Sequence, residues 1–187
     1  MRLFVAVDIA PSVRAELTAL INRWKVAEPH ARWLRAEGIH VTIKFLGETR
    51  EELIPEIVRA LEVVRSPSPV GIRVRGVGFF PNARRPRVLW AGVEGSPNLA
   101  ELAQAVESAV EPSGFPCEAR TFQPHLTLAR LPEGRKWDAL VRAGAELAAR
   151  EFGSYRESEF HLLQSFLKPT GAEYKKLATF AFFKETA

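Results

Sequence analysis

His40-Val41-Thr42-Ile43 and His125-Leu126-Thr127-Leu128 repeat one pattern, His-x-Thr-x with both x residues apolar, in a chain of 187 residues that holds four histidines and eight threonines. Polar positions alternating with apolar ones mark a half-buried strand. Successive side chains on a strand point to opposite faces, so His40 and Thr42 share one face while Val41 and Ile43 take the other. The second copy does the same. A lone His-x-Thr is more often a structural histidine, but two matched copies read as a two-histidine active site.

Working outward, residues 3–9 are apolar and β-leaning. After Pro11 the spacing Val13, Leu17, Leu20, Ile21, Trp24 has the period of an amphipathic helix. Thr49 with Glu52 reads as a capping box opening a helix along Leu53, Ile57, Leu61 and Val64, which residues 65–69, rich in Ser and Pro, stop. Residues 71–80 and 88–93 read as a hairpin around a basic loop, 81–87. Ser96 and Pro97 start a third helix along Leu99, Leu102, Val106 and Val110. Trp137, Leu140, Val141 and Leu147 mark a fourth, and residues 159–167 and 177–183 are strand-like. The order strand, helix, motif strand, helix, returning strands occurs roughly twice. It predicts an α+β fold in which residues 1–187 form one unit of two packed lobes. Helices would lie outside two antiparallel sheets and the motif strands would face a central cleft. Two imidazoles on opposite sides of a bound group suit in-line displacement at phosphorus, one taking a proton while the other gives one.

Composition narrows the classes. With 47% hydrophobic residues the chain can bury a substantial core. Cys117 is the only cysteine, which excludes an internal disulfide or a cysteine metal site and fits the cytoplasm. The apolar run 3–7 ends at Asp8, too short for a signal peptide or a membrane span, so no membrane is expected. The net charge of +4 and pI near 9.5 favour a polyanion. Asn82-Ala83-Arg84-Arg85-Pro86-Arg87 suits RNA phosphates, and Trp33 or Trp90 suits base stacking, although 19 arginines against 7 lysines is also a bias that genome composition produces. Two histidines with no carboxylate in their motifs make an incomplete metal shell, and no P-loop pattern is present. No metal, cofactor or ATP is expected.

His40, His125, Thr42 and Thr127 supply a base, an acid and phosphate donors. Histidine titrates near about 6.5, so one ring can be neutral and the other charged, which predicts a bell-shaped pH profile. Lys44 has the parity to join His40 and Thr42. Strict alternation puts Ala129 on the catalytic face and Arg130 on the other, unless the strand bulges. Phe45 reads as core. His30 and His161 lack a threonine partner and read as a loop and a strand residue without chemistry, and Cys117 as a small buried thiol.

With Phe45-Leu46-Gly47 after the first motif and Ala129-Arg130 after the second, the chain resembles the 2H phosphoesterase superfamily. Within it the chain is similar to the bacterial RNA 2′,3′-cyclic phosphodiesterases, also called the 2′-5′ RNA ligase family. Arg2-Leu3-Phe4-Val5-Ala6-Val7, Trp33, the strand from Arg87 to Trp90 and the Tyr174 region extend the likeness nearly end to end. The resemblance implies a bilobal pseudo-twofold fold and metal-independent opening of RNA 2′,3′-cyclic phosphate ends to 2′-phosphates. It also implies a slow, ATP-independent 2′-5′ joining. It makes His40 the proton donor and His125 the proton acceptor, with the roles exchanged for joining. Arg130, Lys44 and Phe45 become substrate contacts, and the partner an RNA with 2′,3′-cyclic or 2′-5′-linked ends, bound by a monomer. Two alternatives are a phosphodiesterase on a small nucleotide such as ADP-ribose cyclic phosphate, and an RNA-binding module without catalysis.

Overall fold

The computed structural model describes residues 1–168 and 171–183. Two antiparallel sheets and four α-helices form a mixed α+β fold. One sheet has the order β3-β1-β8-β9, with β1 at Arg2–Val7, β3 at Val41–Glu48, β8 at Glu159–Lys168 and β9 at Gly171–Ala181. The other has the order β2-β6-β5-β4-β7, with β2 at Arg32–Trp33, β4 at Val70–Phe80, β5 at Val88–Gly95, β6 at His125–Arg130 and β7 at Glu151–Glu157.

The helices are α1 (Pro11–Ala27), α2 (Ile54–Leu61), α3 (Pro97–Val110) and α4 (Asp138–Glu146). In α1 the residues with helical spacing, Val13, Leu17, Leu20, Ile21 and Trp24, are all buried, and in α3 so are Leu99, Leu102, Val106 and Val110. These stripes pack on Leu3, Val5 and Val7 of β1, Leu89 and Ala91 of β5, and Leu126 and Leu128 of β6, giving one apolar cluster that includes residues of both sheets. The opposite faces of β1 and β8 carry a separate small cluster of Phe4, Ala6 and Leu163, with Tyr174 packed against it.

The two sequence repeats do not coincide with the two sheets. β1-α1-β3-α2-β4 is echoed by β5-α3-β6-α4-β7-β8, yet β4 pairs with β5 and β8 pairs with β1. Each repeat thus sends a strand into the other repeat's sheet, which ties the two repeats together. Local expectations also change. Thr49 is buried and its hydroxyl donates to the Gly47 carbonyl (3.2 Å), so no capping box forms and a short 3-10 turn at Glu51–Leu53 leads into α2. Ser96 sits at the N-cap of α3, but its Oγ accepts from the Gly71 amide (2.8 Å). β9 begins six residues before the predicted strand because its first half pairs with the end of β8. Nothing in the sequence predicts β7, since Glu151–Glu157 is polar and broken by Gly153.

Candidate active site

β3 carries Thr42, with His40 immediately before the strand, and β6 carries His125 and Thr127. Thr42 and His125 line one cleft of about 580 Å³, with Phe45, Phe80 and Arg87. Each motif thus gives one of its polar residues to this cleft, while His40 and Thr127 are not among its lining residues.

Beyond the threonine both strands bulge at the same place. Thr42 pairs with Ala6 but Lys44 with Val5 and Phe45 with Phe4, leaving Ile43 as the extra residue. In β6, Thr127 pairs with Trp90 but Ala129 with Leu89 and Arg130 with Val88, leaving Leu128 extra. A bulge shifts the alternation by one residue. Arg130 consequently returns to the face of His125 and Thr127, while Ala129 is fully buried on the other side. Phe45 moves to the cleft face, 53% exposed, with its ring 5.8 Å from that of Phe4, which corrects its assignment to the core.

Lys44 moves the other way. It is buried in the wall, its Nζ 2.6 Å from Glu107 Oε2 and 2.7 Å from the Pro116 carbonyl, so it is not a substrate contact. Glu107 Oε2 also accepts from the Glu118 amide at 3.1 Å. These hydrogen bonds help to tether residues 115–122, an irregular stretch forming part of the cleft wall. Cys117 lies on that stretch and is exposed, contrary to expectation.

The two histidines have different surroundings. His40 stacks on Phe4 (4.7 Å between ring centres) and meets the edge of Tyr174 (5.2 Å). Burial pushes its pKa down to about 4, with the Asp8 carboxylate opposing the shift and the Arg14 guanidinium adding to it. His125 meets the edge of Phe80 at 5.0 Å and sets Nδ1 2.9 Å from the Gln123 carbonyl. A carbonyl can only accept, so Nδ1 carries the hydrogen, and in the neutral tautomer that this selects, Nε2 is the nitrogen with the lone pair. Trp90 neighbours Thr127 on the sheet and leans over Gly78, where a Cβ would come within 2.3 Å of the indole, and its ring packs beside Phe80. Trp33 donates its Nε1 hydrogen to the Glu28 carbonyl (2.9 Å).

Several residues of the site had no motif to reveal them. Tyr174 packs at the edge of both His40 and Phe4, and burial raises its pKa while Arg130 and Arg2 lower it. The Arg130 guanidinium, from one sheet, thus favours the ionised form of the Tyr174 phenol from the other. A Cβ on Gly38 would lie 2.6 Å from the Tyr174 ring, so the glycine seats that tyrosine. Alternation along β1 from Phe4 would have exposed Phe4, Ala6 and Asp8 as one face. His161, on that face beside Ala6, sets Nδ1 2.9 Å from Thr179 Oγ1 and Nε2 3.3 Å from Asp8 Oδ2. Lys176 Nζ approaches the same Asp8 oxygen at 2.6 Å, and together these partners hold the carboxyl far below its usual range. His161 is thus an internal ligand of Asp8, and His30 is an exposed loop residue.

Among the described residues no group of three or more His, Cys, Asp or Glu is placed to hold a metal ion, and no helix is long and apolar enough to cross a membrane. The family profile described as LigT like Phosphoesterase matches residues 7–90 and 93–174. The chain is 33% identical over 181 residues to the RNA 2′,3′-cyclic phosphodiesterase of Methanothermobacter thermautotrophicus, covering 96% of this chain and 98% of that protein. Its fold is similar to that of the protein TT0787 of Thermus thermophilus, with a TM-score of 0.78, 31% identity and coverage of 97% and 98%. It is also similar to Escherichia coli LigT complexed with 3′-AMP, with a TM-score of 0.75, 26% identity and 98% of each chain covered.

Proposed function

The chain belongs to the LigT-like phosphoesterase family, and on that premise we propose that it opens 2′,3′-cyclic phosphate ends of RNA to 2′-phosphates by two-histidine acid–base catalysis. The observation that carries this reading is that the two His-x-Thr strands each give one polar motif residue, Thr42 and His125, to a single cleft, with matching bulges that bring Arg130 to the face of His125 and Thr127. The name of the archaeal relative supports the substrate, and the 3′-AMP held by the E. coli neighbour supports a nucleotide in the cleft.

Hydrolysis joins a water oxygen to phosphorus and breaks the bond from phosphorus to the ribose 3′-oxygen. His125, with Nδ1 occupied, takes the water proton at Nε2. His40 gives a proton to the departing 3′-oxygen. Burial keeps His40 neutral before substrate arrives, and the negative phosphodiester beside it restores its proton. Thr42, Thr127 and Arg130 donate to the phosphate oxygens, where charge builds in the transition state. The exposed Phe45 supplies an apolar face for the nucleoside. Joining puts an RNA 5′-hydroxyl in place of water and keeps both histidine roles, which corrects the exchange expected from the resemblance, because the nucleophile still loses its proton and the 3′-oxygen still gains one. Cleavage of the 2′-5′ bond exchanges them, because that is the step read in reverse. None of these steps needs a metal or cofactor, and a single chain carries the whole site.

The test is to incubate the protein, with a chelator present, with RNA ending in a 2′,3′-cyclic phosphate. A 2′-phosphate product is expected. A 3′-phosphate, or no turnover, refutes the reading.

A further inference from the structure

The loop 81–87 and the loop 131–137 lie side by side, joined by the Leu131 amide donating to the Arg87 carbonyl (2.8 Å). A groove of about 290 Å³ runs between them, lined by Arg84, Arg85, Arg87 and Arg135, with Glu133 as its one carboxylate. With Lys136 the two loops carry five cations against that carboxylate. Their balance of +4 equals the net charge of the entire chain, so the remainder is neutral. The arginines stand on an ordered base, since Asn82 Oδ1 accepts from the amides of Arg84 (3.0 Å) and Arg85 (3.1 Å), the Arg87 amide donates to the Phe80 carbonyl (2.8 Å), and Trp137 Nε1 donates to the Pro132 carbonyl (3.3 Å). Among the described residues, Arg84, Arg85, Arg135 and Lys136 have no carboxylate partner, whereas Arg87 pairs with Glu133. Arg87 also lines the reaction cleft, so groove and cleft share a wall.

We propose that this groove is a backbone track that holds the RNA strand leaving the cyclic end, making the enzyme selective for a polynucleotide over a free cyclic nucleotide. The inference rests on the phosphodiesterase reading and deepens it. Charge complementarity and continuity with the cleft select the occupant: a single strand whose terminal nucleotide fills the cleft presents its next phosphates along the same wall. Exposed guanidiniums bind such phosphates with release of counterions, which contributes affinity without base preference.

The variant Arg84→Gln/Arg85→Gln/Arg135→Gln tests this, since all three side chains are exposed and none reaches the cleft wall. For a ten-nucleotide RNA with a 2′,3′-cyclic end, kcat/KM is expected to fall about tenfold or more at moderate salt. For a mononucleoside 2′,3′-cyclic phosphate it should stay within about twofold. An equal loss on both substrates, or none on the RNA, overturns the proposal. A binding arm needs no turnover. Fluorescence anisotropy with a ten-nucleotide RNA ending in a 2′-phosphate should show the slope of log affinity against log salt flatten by about 2, from roughly 0.7 per lost contact on a single strand. An unchanged slope, or anionic phospholipid vesicles displacing the RNA through these loops, overturns the track whatever the outcome for hydrolysis. If the slope flattens but neither substrate turns over, the track stands and the phosphodiesterase reading fails.

Discussion

Replacing Lys44 by Met should unsettle the protein far more than removal of a surface lysine would. The Lys44 and Glu107 side chains are 3% and 13% exposed, and their charged atoms stand 2.6 Å apart. Removing one partner of a buried pair costs about 3–5 kcal/mol, because the other charge is left in a poorly solvated place. Glu107 would keep the Glu118 amide and a little solvent, which puts Lys44→Met near the lower end, about 3 kcal/mol. Against the 5–15 kcal/mol typical of a whole domain this is a large share. Lys44→Met/Glu107→Leu removes both charges and fills their volume, so it should cost less than either single change. Urea unfolding of the wild type, Lys44→Met, Glu107→Leu and the double variant measures the cycle, with midpoints converted through a common slope. The single variants should also lose kcat, because residues 115–122 lose their tether and lead directly to the Gln123 carbonyl that orients His125. Single variants within about 1 kcal/mol of wild type, or a double variant as costly as their sum, would refute this reasoning.

His40→Ala and His125→Ala should each lower turnover of a cyclic-ended RNA by roughly 10² to 10⁴, while binding of a 2′-phosphate product remains; a normal rate in either variant removes that residue from the mechanism. Arg130→Gln should cut kcat by about 10² at unchanged thermal midpoint, because the side chain is exposed and its loss leaves phosphate charge without a donor. Acid should weaken the fold through His40. The unfolded chain takes up that proton near 6.5 and the folded chain near 4, so the contribution is full above pH 6.5 and drains as the pH falls towards 4. It amounts to at most about 3 kcal/mol. Thermal midpoints across that window should decline less in His40→Asn, and an identical decline excludes His40 as the source. Asp8 acts in the same direction at lower pH, since its folded carboxyl lies below the unfolded value and its contribution is lost only under stronger acid.

The motif strands were legible because alternation is a local rule. His40 with Thr42, and His125 with Thr127, needed only two residues of regular backbone to share a face. Helical stripes were equally local, as the buried residues of α1 and α3 show. Parity failed three residues past each histidine, where Ile43 and Leu128 are extruded. Nothing in a run of apolar residues marks a bulge, because it arises from the register with β1 and β5. Lys44, Phe45 and Arg130 therefore exchanged faces together. Capping failed at Thr49 for a related reason, since its hydroxyl found the Gly47 carbonyl made available by the end of β3. Tyr174 and Phe4 were invisible as site residues because an aromatic on a strand carries no record of which histidine it will meet.

By itself the sequence determined the two imidazole–hydroxyl strands, the helices between them, the solitary thiol and the surplus of positive charge. All of these depend on neighbours within a few residues or on composition. Only the tertiary structure decided which sheet each strand joins, since β4 and β8 cross into the other repeat's sheet, β8 by pairing with β1 at the far end of the chain. It alone made the histidines unlike. Identical motifs give one ring buried between Phe4 and Tyr174 and another held by a carbonyl at the rim, because proton affinity depends on solvent and charge brought from distant parts of the chain.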